Sequence, residues 1–153
     1  MKKNYFSIPL ITIIVAVVGS HFTVQGMSWY DSLSLPEIAP GGGFIGAVWI
    51  VIFFLSTLSA ILFYNAPRKR FFSIILILFI ANAIFNVLWS FLFFTLHLFW
   101  QSIVEMIILN IFNLLLIKLL WNYKKSSAVL LIPYFFWVCF ATYLAYLIAI
   151  GNM

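Results

Sequence analysis

Five long apolar runs constrain this chain more than any other feature. They extend from about Tyr5 to Val24, Gly43 to Asn65, Phe71 to Thr95, Leu98 to Trp121 and Ala128 to Ile150. A helix needs roughly 20 mostly apolar residues to cross the hydrocarbon of a bilayer. Only an unbroken helix or a closed barrel satisfies its backbone polar groups where there is no water. Each run meets the helical length. A membrane β-strand would be about 9–11 residues of alternating pattern, and these runs are longer and continuous. The predicted fold is an all-α membrane protein, a bundle of five transmembrane helices in one domain over residues 1–153. Composition points the same way. Only 7% of residues are charged, while 66% are hydrophobic. A soluble domain carries roughly 25% charged residues, so this chain cannot clothe itself in a polar surface.

The first run follows Lys2-Lys3 and has the layout of a signal peptide. Its apolar stretch exceeds the usual length of about 7–15 residues and no Ala-x-Ala site follows, so it reads as a retained helix. The connections 66–71, 96–100 and 122–127 are short. Only 25–42, "QGMSWYDSLSLPEIAPGG", is a substantial loop.

The net charge of +5 could suggest nucleic acid, but the placement of the charges argues for a membrane. All basic residues (Lys2, Lys3, Arg68, Lys69, Arg70, Lys118, Lys124 and Lys125) fall on one side if five helices alternate. The other side holds Asp31 and Glu37. The positive-inside rule then puts the N-terminus in the cytoplasm, and the long loop and the C-terminus outside. No nucleic acid partner is expected. A short chain without a transit peptide points to a bacterial plasma membrane.

Familiar catalytic patterns are missing from the sequence. There is no Gly-rich phosphate loop, no paired carboxylates and no metal-ligand spacing. His21 and His97 are read as interface residues, and Cys139 as a small buried hydrophobe. Glu105 is the one acid inside a span. Ionisable groups there usually face the bundle interior, and two roles fit it: a hydrogen-bond partner in helix packing, or a ligand or proton role.

Tryptophan placement is more informative. Trp29, Trp100 and Trp121 stand at segment ends, as in an interfacial aromatic belt. Trp49, Trp89 and Trp137 lie deeper. Trp49 has Phe53 at i+4. Trp89 shares a helical face with Asn82, Asn86 and Phe93. Trp137 has Pro133, Phe140 and Ala141 at helical spacing. Amides need partners in lipid, so that face points inward. Two readings fit the spacing: interior packing, or an aromatic pocket for a flat apolar ligand.

The motifs resemble the TspO/MBR family, the tryptophan-rich sensory proteins related to the mitochondrial translocator protein (peripheral benzodiazepine receptor). The resemblance rests on "WYDSLSLPEIAPGGGFIGAVW" in the first loop and second helix. "NVLWSFLFF" in the third helix and "PYFFWVCFATYL" in the fifth complete it. It covers nearly the whole chain. It implies five helices, homodimers, and binding of protoporphyrin IX or haem-like tetrapyrroles under the first loop. It also implies that synthetic benzodiazepine- and isoquinoline-type ligands use that pocket. The ligand-binding residues it implies are Tyr30 and Pro40 of the loop, and Trp49 and Phe53 of the second helix. From the third helix come Asn82, Asn86, Trp89 and Phe93, and from the fifth Trp137, Phe140 and Ala141. Asn82 and Asn86 would hydrogen-bond the ligand, with Trp49 and Trp137 against its faces. No resident cofactor is required.

The chain departs from the family pattern at Ile38, where a Trp is usual, at Gly41, where a Pro is usual, and at Ala145, where an Asn is frequent. With Gly42, Gly43 and Gly46 nearby, a looser lid is expected. Sterol-type motifs match only in loose form, and no cholesterol binding is predicted. Three functions remain. The first is a tetrapyrrole sensor, transporter or regulator. The second is a light-dependent porphyrin-degrading enzyme that uses Trp49 or Trp137. The third is a structural dimeric membrane protein.

Overall fold

The computed structural model describes residues 4–68 and 70–153. Lys2, Lys3 and Lys69, used in the charge argument, lie outside them. The described residues form five long helices and no strand: α1 (Asn4–Tyr30), α2 (Gly42–Asn65), α3 (Phe72–Ser90), α4 (Phe99–Tyr123) and α5 (Lys125–Gly151). Helix α3 continues as a π-helical segment, Phe91–Thr95. All five are long and apolar enough to span a membrane. At 1.5 Å per residue, the 27 residues of α1 measure about 40 Å, so the helix outruns a hydrocarbon core of about 30 Å.

Three boundaries differ from the sequence expectation. Helix α1 runs to Tyr30 instead of ending near Val24, so the long connection shrinks to residues 31–41. Tyr30 and Trp29 are therefore helical, not loop residues. The polar stretch from Gln25 to Ser28 reads as loop by hydropathy, yet a helix keeps its own backbone bonds wherever its side chains sit. Helix α5 begins at Lys125, three residues earlier than expected. The third run is not uniformly α-helical, because its last five residues are π-helical.

Apolar side chains cover the outside. Ile11, Ile50, Phe54, Ile77, Ile84, Ile107 and Phe136 are exposed on outer faces, as a bilayer solvent allows. The interior holds two clusters. One, around Phe93, Met106, Leu109, Val138 and Ile148, sits toward loop 31–41. The other, around Phe63, Ile75, Leu116, Leu120 and Leu131, fills the opposite end.

Small and polar residues fix how the helices meet. Ser59 of α2 and Ser127 of α5 are fully buried and bond reciprocally. Each hydroxyl donates to the other's carbonyl at 2.8 Å, with the hydroxyl oxygens 2.7 Å apart. Gly26 of α1 lies against the backbone of the π-helical segment, where a Cβ would collide with the Phe94 carbonyl. The ends of α2, α3, α4 and α5 away from the loop carry Arg68, Arg70, Lys124 and Lys125. There Arg68 lies over Phe72 at 4.9 Å and Lys125 over Trp121 at 4.8 Å.

Candidate functional site

A cavity of about 590 Å³ lies beneath loop 31–41, walled by α1, α2, α3 and α5. Its aromatic wall is continuous. Trp49 stacks on Trp89 with centroids 6.2 Å apart, and Trp89 stacks on Phe93 at 5.9 Å. Trp49 also contacts Phe53 at 5.8 Å. On α5, Trp137 meets Phe140 at 5.5 Å and also contacts Phe44 of α2 at 6.3 Å. The π-helical turn matters here. It adds a residue to the ladder, and it brings Phe93 and Phe94 together as buried neighbours on the cavity wall.

Of the residues named from the sequence, Tyr30, Pro40, Trp49, Phe53, Asn86, Trp89, Phe93, Trp137, Phe140 and Ala141 all line this cavity. Asn82 does not. It lines a second cavity toward the other end of the bundle, and its amide donates to Asn113 Oδ1 of α4 at 2.7 Å. Asn86 donates to the Tyr134 hydroxyl of α5 at 2.9 Å and lines both cavities. The expectation that both amides serve the first cavity is thus corrected. They sit four residues apart along α3, about 6 Å of rise, so one reaches the cavity and the other lies a turn below it. Their first duty is to tie α3 to α4 and α5.

Two buried polar groups on the lining of this cavity have no partner among the described residues. The indole N–H groups of Trp89 and Trp137 are buried and unpaired, although both residues line the cavity. An unmade hydrogen bond of this kind costs about 1–3 kcal/mol. Glu105 is 4% exposed, and neither carboxylate oxygen has a partner among the described residues. The expected packing hydrogen bond is not made. Glu105 lies close enough to Tyr134 to act on it electrostatically.

Other single-residue expectations also change. Cys139 is exposed on the outside of α5 and accepts a bond from Asn110 at 3.0 Å; it is not buried. Lipid tolerates a thiol on the outer face, so apolarity does not predict burial here. Trp29, at the loop end of α1, stacks on His97 at 3.9 Å and packs on Phe93. His97 adopts a left-handed backbone, φ 56°, in the turn after the π-helical segment. His21 pairs instead with Gln25 at 3.1 Å.

Several cavity residues escaped the sequence reading. Ala16, Gly19, Ser20, Thr23 and Met27 of α1 form one wall, which continues to the Tyr30 already named from the sequence. Their spacing of three and four residues was visible as a stripe of mostly small residues on an otherwise bulky helix. Leu35 and Ala39 of the loop carried no such signal. The loop is held from far away in sequence. Asn152, just past α5, accepts from the Ser34 amide at 2.8 Å and donates to the Ser34 carbonyl at 3.0 Å. Gly41 and Gly42 line the cavity, while Ile38 is half exposed. No glycine among the described residues has positive φ, and a Cβ at 41, 42, 43 or 46 would meet nothing within 4 Å.

Fold and site together define an integral membrane protein with a roofed, aromatic, ligand-sized cavity near one membrane face. The chain belongs to the TspO/MBR family, whose model matches residues 7–150. It is similar to the tryptophan-rich protein TspO of Bacillus cereus, 37% identical over 152 residues, covering 97% of this chain and 96% of the relative. It is 31% identical to the uncharacterized membrane protein YtaB of Bacillus subtilis over the full length of both. The tryptophan-rich protein TspO of Archaeoglobus fulgidus is 32% identical over 94% of this chain and 93% of its own.

Proposed function

We propose that this protein binds a tetrapyrrole, protoporphyrin IX or a haem, in the cavity under loop 31–41, and acts as a sensor, transporter or regulator of porphyrin level. The observation that carries the reading is the stacked wall Trp49–Trp89–Phe93, which with Trp137 lines a cavity of about 590 Å³. Ligand pockets of about 300–1,000 Å³ with aromatic walls and few polar groups suit flat apolar molecules. The unpaired indole N–H groups of Trp89 and Trp137 offer donors to ring or carboxylate acceptors. The start of α2 at Gly42 adds free backbone N–H groups at the mouth, suited to propionates. Benzodiazepine- and isoquinoline-type ligands would compete for the same space. On this reading the protein is a homodimer in a bacterial plasma membrane, with the N-terminus cytoplasmic and the loop and C-terminus outside.

A second reading is light-dependent porphyrin breakdown by dioxygen. A pocket tryptophan, Trp49 or Trp137, would give an electron to the excited porphyrin. Dioxygen would add across one meso-bridge bond of the resulting radical anion. That carbon–carbon bond and the O–O bond would break to leave two carbonyls on an opened ring, and the electron would return to the tryptophan radical. The Trp49–Trp89 stack favours this reading, since it offers a second indole to share the radical. The test is a dark titration with protoporphyrin IX followed by tryptophan fluorescence, repeated under illumination, with Trp49→Phe and Trp137→Phe alongside. Saturable dark quenching that either substitution weakens supports the binding site. Bleaching that also needs those tryptophans supports the enzyme. Absence of saturable quenching removes both readings and leaves a structural membrane protein.

A further inference from the structure

The second cavity, about 770 Å³, lies between α1, α2 and α3 in the half of the bundle away from the loop. It is separate from the tetrapyrrole reading, and touches the first cavity only through Phe53 and Asn86, which line both. We infer that it is a binding site for an uncharged acylglycerol drawn from the bilayer.

Three observations set the chemistry. The mouth is lipid-facing: Ile11, Ile14 and Val18 of α1 and Ile80 and Ile84 of α3 line the cavity and are exposed on the outer face. A ligand therefore enters sideways, from the membrane. The length suits an acyl chain. Helix α1 lines the cavity from Asn4 to Val18, about 21 Å at 1.5 Å per residue, from the end of the bundle toward its middle. The polar groups suit a glycerol ester. Asn4 lines the cavity, is 9% exposed, and its amide nitrogen has no partner among the described residues. Deeper in, the Ser56 hydroxyl is also buried and unpaired. The orphan amide donor at the membrane-surface end suits the hydroxyls and ester carbonyl of a glycerol head. No Asp, Glu, Lys or Arg lines the cavity among the described residues, which selects against a charged headgroup.

The test uses the full chain in detergent micelles and a monoacylglycerol with a diazirine in its acyl chain, followed by illumination and peptide mapping. Saturable labelling of α1 between residues 7 and 18 and of α3 between 76 and 87 is expected. Unlabelled monoacylglycerol should compete, and phosphatidylglycerol of the same chain length should not. Ala60→Phe and Ala83→Phe fill the cavity from opposite walls, and each should cut labelling about tenfold or more. Asn4→Leu keeps the volume and removes the amide. It should weaken monoacylglycerol labelling by roughly tenfold, the factor of one hydrogen bond to a buried group, while labelling by a diazirine alkane persists. Non-saturable labelling, labelling spread evenly over the outer faces of α4 and α5, or equal competition by phosphatidylglycerol would each overturn the inference. So would full labelling in both phenylalanine variants.

Discussion

Gly26→Ala is the sharpest single test of how α1 meets the rest of the bundle. A Cβ at 26 would collide with the Phe94 carbonyl oxygen and lie 2.7 Å from its carbonyl carbon. Real Cβ contacts begin near 3.0 Å, so α1 and the π-helical segment must part by about an ångström over that turn. The obstacle is backbone, so no rotamer change relieves it. Overpacking of this kind costs about 1–3 kcal/mol, offset by up to about 1 kcal/mol from alanine's better helix propensity. We expect a net loss of about 2 kcal/mol and a thermal midpoint lower by roughly 4–8 °C in detergent. Gly19→Ala is the control. It lies on the same helix, and its Cβ would meet only the Ser90 hydroxyl, at an ordinary 3.6 Å. That variant should be neutral or slightly stabilised. The displaced segment also carries Phe93 and Phe94, which line the first cavity. Protoporphyrin IX quenching should therefore weaken in Gly26→Ala. Equal midpoints for the two variants would refute the close approach.

Three further predictions follow from polar contacts between distant parts of the chain. Asn82→Leu strands the Asn113 oxygen and should lower stability by about 0.6–1.7 kcal/mol, the range for interhelical bonds in a bilayer; Asn82→Leu with Asn113→Leu should recover most of it, as read by denaturation in mixed micelles. Ser59→Ala should destabilise by about 1 kcal/mol and sum non-additively with Ser127→Ala, because the two hydroxyls share one reciprocal contact. Asn152→Ala cuts the tie to Ser34 and should speed ligand release several-fold, seen in stopped-flow fluorescence, with little change in thermal midpoint; an unchanged off-rate would mean the loop does not gate the cavity.

Much of the cavity was legible because helical periodicity carries it. Trp49 with Phe53, Trp89 with Phe93, and Trp137 with Phe140 each declare a face, and the structure turns those faces toward one another. The α1 wall was legible in principle, since its small residues recur at three and four. Asn82 was misjudged because the pattern fixes a face and not a depth. Cys139 was misjudged because lipid removes the usual link between apolar character and burial. The inward position of Glu105 was legible and it is buried, but that its carboxylate and the indoles of Trp89 and Trp137 go unpaired was not, since whether a polar group finds a partner depends on side chains from other helices.

The sequence by itself determined the five spans, the end of the bundle that carries the basic residues, and the inward faces of three helices. These follow from run length, from charge placement and from the 3.6-residue period, all local properties of the chain. Only the tertiary structure decided the π-helical turn that seats Phe93 and Phe94, the Gly26 contact that admits it, and the Asn152 tie across 118 residues to the loop. It also divided the interior into two cavities that meet at Phe53 and Asn86. In a bilayer, apolar surface is satisfied inside and outside alike, so hydropathy cannot choose helix partners. Close backbone approach and buried hydrogen bonds choose them, and both exist only between elements.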